Sequence, residues 1–157
     1  MTWRGDTSIR DRIFAVLPYL LPLMYGLQFG RFLFVQFPIL SFILIPLAPL
    51  MSIYQAVPFA SLVIFFALLF LVVRNDNIPH FIRFNTMQAI LLDIIIWVFS
   101  IILSVFAPGL PSFILQTTYN MLFLGIFAAV LYSVVQSLRG QYAEIPFISE
   151  AVSMQVR

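Results

Sequence analysis

Residues 74–97 read RNDNIPHFIRFNTMQAILLDIIIW. Here a polar knot (Arg74, Asn75, Asp76, Asn77, His80, Arg83, Asn85) stands between two of the most apolar runs of the chain. PFASLVIFFALLFLVV precedes it and AILLDIIIWVFSIILSVFA follows it. Apolar runs of this length read as membrane-crossing helices, and the knot as a short aqueous loop joining two of them. An acid, Asp93, sits well inside the downstream run.

Composition points the same way. Of 157 residues, 62% are hydrophobic and 9% charged. A soluble domain carries about 25% charged residues, so water could not solvate this surface. The chain reads as a single integral membrane domain, residues 1–157. All eight basic residues are Arg and scatter at the ends of apolar runs, unlike a nucleic-acid footprint. With no Cys there is no disulfide, thiolate metal site or cysteine nucleophile. His80 is the only His, and no GxSxG, HExxH, phosphate-binding loop or GxGxxG occurs. Intramembrane proteolysis by paired acids needs a second deep Asp, and only Asp93 is deep. The expectation is no enzyme, no cofactor and no metal.

Outward from the knot, the expected architecture is an all-α membrane protein with four spans, at about 13–29, 58–73, 82–106 and 113–138. Before the first, Trp3 suits the membrane interface and Ser8 with Asp11 forms a capping pair. No cleavable leader is read at the N-terminus, so insertion without processing, or synthesis in the compartment where the chain works, is expected. Pro18 and Pro22 should bend the first span. Residues 31–57 are apolar but hold Pro38, Pro46 and Pro49, so they read as an interfacial or re-entrant helical segment. Charge placement supports four spans. Arg4, Arg10, Arg12, Arg74, Arg83, Arg139 and Arg157 then share one side and only Arg31 faces the other, placing both termini on the cytoplasmic or stromal side. The tail, with Ile148, Ala151, Val152 and Gln155 on one face, predicts a short, surface-lying amphipathic helix.

Candidate functional residues cluster on the third span. Thr86, Asp93, Trp97, Ser100 and Ser104 fall on one helical face. A carboxylate at that depth is costly and must face protein or water. The face is either a polar path for something crossing the membrane or a helix-packing surface glued by an acid. On the fourth span, Gly125, Ala129 and Ser133 make a small-residue stripe suited to close helix packing, with the polar face of the third span as partner.

Several stretches resemble the twenty-kilodalton Tic subunit family of the chloroplast inner-envelope protein translocon and its cyanobacterial relatives. They are Leu17-Pro18-Tyr19-Leu20-Leu21-Pro22, Gly26-Leu27-Gln28-Phe29-Gly30-Arg31, Pro46-Leu47-Ala48-Pro49-Leu50, Pro58-Phe59-Ala60-Ser61-Leu62 and Val72-Val73-Arg74-Asn75. The most specific is Arg83-Phe84-Asn85-Thr86-Met87-Gln88-Ala89-Ile90, followed by Leu92-Asp93. The resemblance implies a four-helix membrane subunit of a protein translocon in a cyanobacterial membrane or plastid inner envelope. Its partners would be other translocon membrane subunits and transiting polypeptides, and homo-oligomerisation stays open. It carries over no catalytic residue. Two alternatives stand beside it: a small-solute or ion transporter using Asp93, and a non-conducting membrane scaffold.

Overall fold

Ser8 opens the first helix as the capping pair predicts. Its hydroxyl accepts from the Asp11 amide at 3.1 Å, and its own amide donates to the Asp11 carboxylate at 3.3 Å. This computed structural model describes residues 7–156. Trp3, Arg4 and Arg157, each given a place by the sequence, lie outside them.

Helical run α1 spans Ile9–Gln36. Its α-helical turns are interrupted by 3-10 turns at Leu17–Tyr19, where Pro18 sits, and at Leu27–Gly30. The run thus extends past Phe29 to Gln36. Proline cannot donate to the helical ladder, and the tighter turn around Pro18 accommodates it; Pro18 and Pro22 are both buried.

Helix α2, Pro38–Ala56, keeps its helical course through Pro46 and Pro49. By length and composition it could cross a membrane, whereas the next helix, α3 (Ala60–Val73), is shorter. Between them Phe59 adopts a left-handed backbone, φ 57°, with its ring exposed. A non-glycine residue there is uncommon. Leu47 of α2 packs among Phe29, Leu103 and Phe123. Further along, the Tyr54 ring lies 5.9 Å from Tyr25, a residue near the middle of α1. Phe65 of α3 then stacks on Trp97 at 5.8 Å, and Val73 packs beside Phe84 and Met87. Helices α2 and α3 therefore run in series from one end of the bundle to the other. Their break lies at mid-height.

The polar knot closes the loop into helix α4, His80–Phe106, which continues as a 3-10 turn to Gly109. Arg83, 9% exposed, donates from Nε to the Val73 carbonyl at 2.8 Å and pairs with Asp76 at 3.2 Å. It satisfies a carbonyl that the end of α3 would otherwise leave open. Helix α5, Ser112–Leu138, ends at Gly140 with φ 75°. The Gly140 amide donates to Ser137 O and the Gln141 amide to Gln136 O, the paired bonds of a glycine helix stop. An added Cβ at Gly140 would stand 2.6 Å from Thr7 Oγ1, so the N-terminal flank lies against the start of the tail.

Helix α6, Ile148–Gln155, turns its apolar side inward. Val152 and Val156 are buried with Val73, Phe84, Met87 and Ile90, and Ile148 packs on them. The helix is amphipathic as expected: its apolar stripe packs on α4, which removes it from water, while Glu150, Ser153, Met154 and Gln155 stay exposed. Among the described residues the fold is all helical, with α1, α2, α4 and α5 long and apolar enough to cross a membrane.

Candidate functional site

Helix α4 carries polar residues on two faces, and they meet different fates. On one, Asn85 and Gln88 are fully buried and saturated. Tyr19 and Ser137 hydroxyls both donate to Asn85 Oδ1 at 2.8 Å, while Asn85 Nδ2 donates to the Phe81 carbonyl at 2.8 Å. Gln88 Nε2 donates to Tyr19 Oη at 3.1 Å and to Ser133 Oγ at 3.3 Å; Gln88 Oε1 accepts from Ser149 Oγ at 2.9 Å. One network ties α1, α4, α5 and α6. Buried polar groups are costly unless paired, so a saturated cluster specifies how these helices fit.

The neighbouring face holds the predicted stripe. Thr86 is fully buried and Asp93 is 2% exposed, yet Thr86 Oγ1 and Asp93 Oδ1 find no hydrogen-bond partner. Trp97 and Ser100 are half-buried. Ser104 is exposed, with its hydroxyl bonded to the Ile101 carbonyl of its own helix at 2.7 Å. The stripe therefore has an enclosed half and an open half. Tyr54 of α2 lies with its ring edge-on to Tyr25 at 5.9 Å. Trp97 packs edge-on to Tyr25 at 6.1 Å.

Between α1, α2, α3 and α4 lies a groove of about 760 Å³. Ser8, Arg10, Asp11 and Asn77 stand at its mouth. Its walls are apolar, with Leu21, Met24, Leu50 and Leu68 prominent, and Thr86 and Tyr54 supply the polar atoms within. Among the described residues no cluster of His, Cys, Asp and Glu has the makings of a metal site.

The small-residue stripe is distributed otherwise than the sequence suggests. Ser133 is buried and accepts from Gln88, and Ala129 packs near Tyr19, Ala89 and Leu92. Gly125 is exposed, and a Cβ added there meets nothing within 4 Å. Close approach occurs instead at Gly26 and Gly30 of α1. A Cβ at Gly26 would fall 2.7 Å from Ile126 Cγ2, and one at Gly30 would fall 2.8 Å from a Phe123 ring carbon. The spacing Gly-x-x-x-Gly carries that signal in an apolar helix, and sequence reasoning passed over it. Tyr19, Gln88 and Ser137 were missed as well; the pair Asn85 and Gln88, three apart on one helix face, was the available hint.

A family model described as "Chloroplast import apparatus Tic20-like" matches residues 8–152. The chain belongs to the Tic20 family. A Tic20 family protein of Synechocystis sp. is 48% identical over 153 residues, covering 94% of each chain. Protein TIC 20-II, chloroplastic, of Arabidopsis thaliana is 35% identical over 154 residues, covering 96% of this chain and 74% of its own. The Tic20 family protein Ycf60 of Porphyra purpurea is 36% identical, with 99% and 80% covered. These matches take in both the saturated network and the groove, so the Tic20 similarity concerns the whole bundle.

Proposed function

We propose that this Tic20 family chain is a membrane subunit of a protein translocon, in which the groove side of α4 flanks the path of unfolded polypeptides. One observation carries the reading. Asp93 Oδ1, 2% exposed, is a polar atom without a partner on the face of α4 that carries Trp97 and Ser100. Buried polar side chains spent on helix packing are mostly paired, as Asn85 and Gln88 are, although Asn120 Oδ1 and Gln136 Oε1 of α5 are not. A polypeptide backbone offers donors and acceptors to such atoms at every residue. The chain has no catalytic role in this reading. Its partners are other translocon membrane subunits and the chains in transit, and its place is a cyanobacterial membrane or plastid inner envelope. Helices α2 and α3 together make one broken crossing, giving four crossings in all. Both termini face the cytoplasm or stroma, because Arg10, Arg12, Arg74, Arg83 and Arg139 lie at that end.

A photo-crosslinking residue at Ser100 in native membranes tests this. Adducts with proteins in transit are expected; adducts with fixed membrane proteins alone refute the path and leave a scaffold. The second reading, a proton-coupled solute carrier, draws on the buried and unpartnered Asp93. Asp93→Asn separates the two. A polypeptide path keeps its transport rate within about twofold, because an uncharged polar group remains, whereas a carrier that must titrate Asp93 loses its flux by a factor on the order of 100.

A further inference from the structure

We infer that the groove between α1, α2, α3 and α4 is a binding site for one anionic glycerolipid, a role separate from any path for polypeptides. Three features fit a single amphiphile lying head to tail. At the mouth stands Arg10, whose guanidinium rests over the Phe14 ring at 5.6 Å and pairs with no carboxylate among the described residues. The neighbouring Asp11 carboxylate is already occupied by the Ser8 amide. Below the mouth is Thr86, fully buried, its hydroxyl unpartnered although helical threonines commonly bond back to the preceding turn, as Thr117 and Thr118 do. It sits about 9 Å along α4 from His80, the first residue of that helix. Beyond it the walls are apolar as far as Tyr54.

Size argues against a crossing helix as the occupant. A crossing helix about 30 Å long and 10 Å wide displaces roughly 2,400 Å³, three times the groove's volume of about 760 Å³. An acyl chain of sixteen carbons, each taking about the 30 Å³ that one water molecule takes in the liquid, needs roughly 480 Å³. The groove holds one chain with its glycerol ester, and Thr86 Oγ1 donates to the ester carbonyl. Arg10 holds the anionic head.

The full chain, purified in mild detergent and equilibrated with vesicles of equimolar phosphatidylglycerol and phosphatidylcholine, is read by native mass spectrometry. One retained phosphatidylglycerol is expected, preferred about fivefold over phosphatidylcholine, the effect of one arginine at a membrane surface. Arg10→Gln, at an exposed position, abolishes the preference. Met24→Trp, which fills the groove, abolishes retention. A phosphatidylglycerol with a diazirine midway along one chain labels the segment from Leu50 to Tyr54. Equal retention of both lipids, retention indifferent to both variants, or labelling confined to the outer faces of α5 overturns the proposal. So does a crosslinker at Leu50 that captures polypeptide in transit and no lipid.

Discussion

Replacing Asn85 with Leu lowers the stability of the folded chain in mild detergent by about 2–4 kcal/mol. The variant leaves two buried hydroxyls, Tyr19 Oη and Ser137 Oγ, without the acceptor they share at 2.8 Å. A buried donor stripped of its partner costs about 1–3 kcal/mol. Interhelical hydrogen bonds measured within membranes average only about 0.6 kcal/mol, because the unfolded chain also finds partners there. Losing two at once, with added bulk in a fully buried place, sets the range. Reversible unfolding in mixed detergent, followed by helical circular dichroism, measures it. Ser137→Ala loses a single bond and shifts stability by about 1 kcal/mol. Tyr19→Phe combined with Asn85→Leu costs less than the sum of the two, since both remove the same contact. A shift below about 0.5 kcal/mol for Asn85→Leu would show that the network does not hold the helices.

The second large effect concerns the crossing of α1 and α5. Gly26→Ala adds a Cβ where Ile126 Cγ2 stands 2.7 Å away. That carbon sits one bond from the branched Cβ of Ile126, so it cannot swing aside as the end of a long side chain would. Overpacking of this kind costs about 1–3 kcal/mol, against a gain of up to about 1 kcal/mol from replacing glycine inside a helix. The net effect is a loss. Gly26→Leu enlarges it to the point of separating the helices, and Ile126→Ala restores the Gly26→Ala variant. Gly125→Ala is the opposite case: with nothing within 4 Å, only the helix-propensity gain remains and the variant is neutral or slightly more stable. The same unfolding experiment reads all four. Equal losses at Gly26 and Gly125 would contradict the packing described.

What the sequence by itself determined is what depends on length, composition and near neighbours. Long apolar runs with few charges can only be membrane helices, because water does not solvate them. The Ser8–Asp11 cap was legible since it is made by residues three positions apart. Asp93 and Thr86 were legible as exceptions inside an apolar run, and the ordered motifs led to the family. Tertiary structure alone decided which polar face of α4 is saturated and which is left without partners. Tyr19 and Asn85 meet across 66 residues of chain, and no periodicity in either helix names the other. The same holds for α2 and α3. The prolines of residues 31–57 suggested an interfacial or re-entrant segment beside a span at 58–73, but the place of the break between α2 and α3 follows from Tyr54 and Phe65 meeting Tyr25 and Trp97. The tail's stripe was visible as amphipathic, yet its partner could be lipid or protein. It packs on Phe84, Met87 and Ile90 of α4, because an apolar face packs wherever shape lets it bury the most surface.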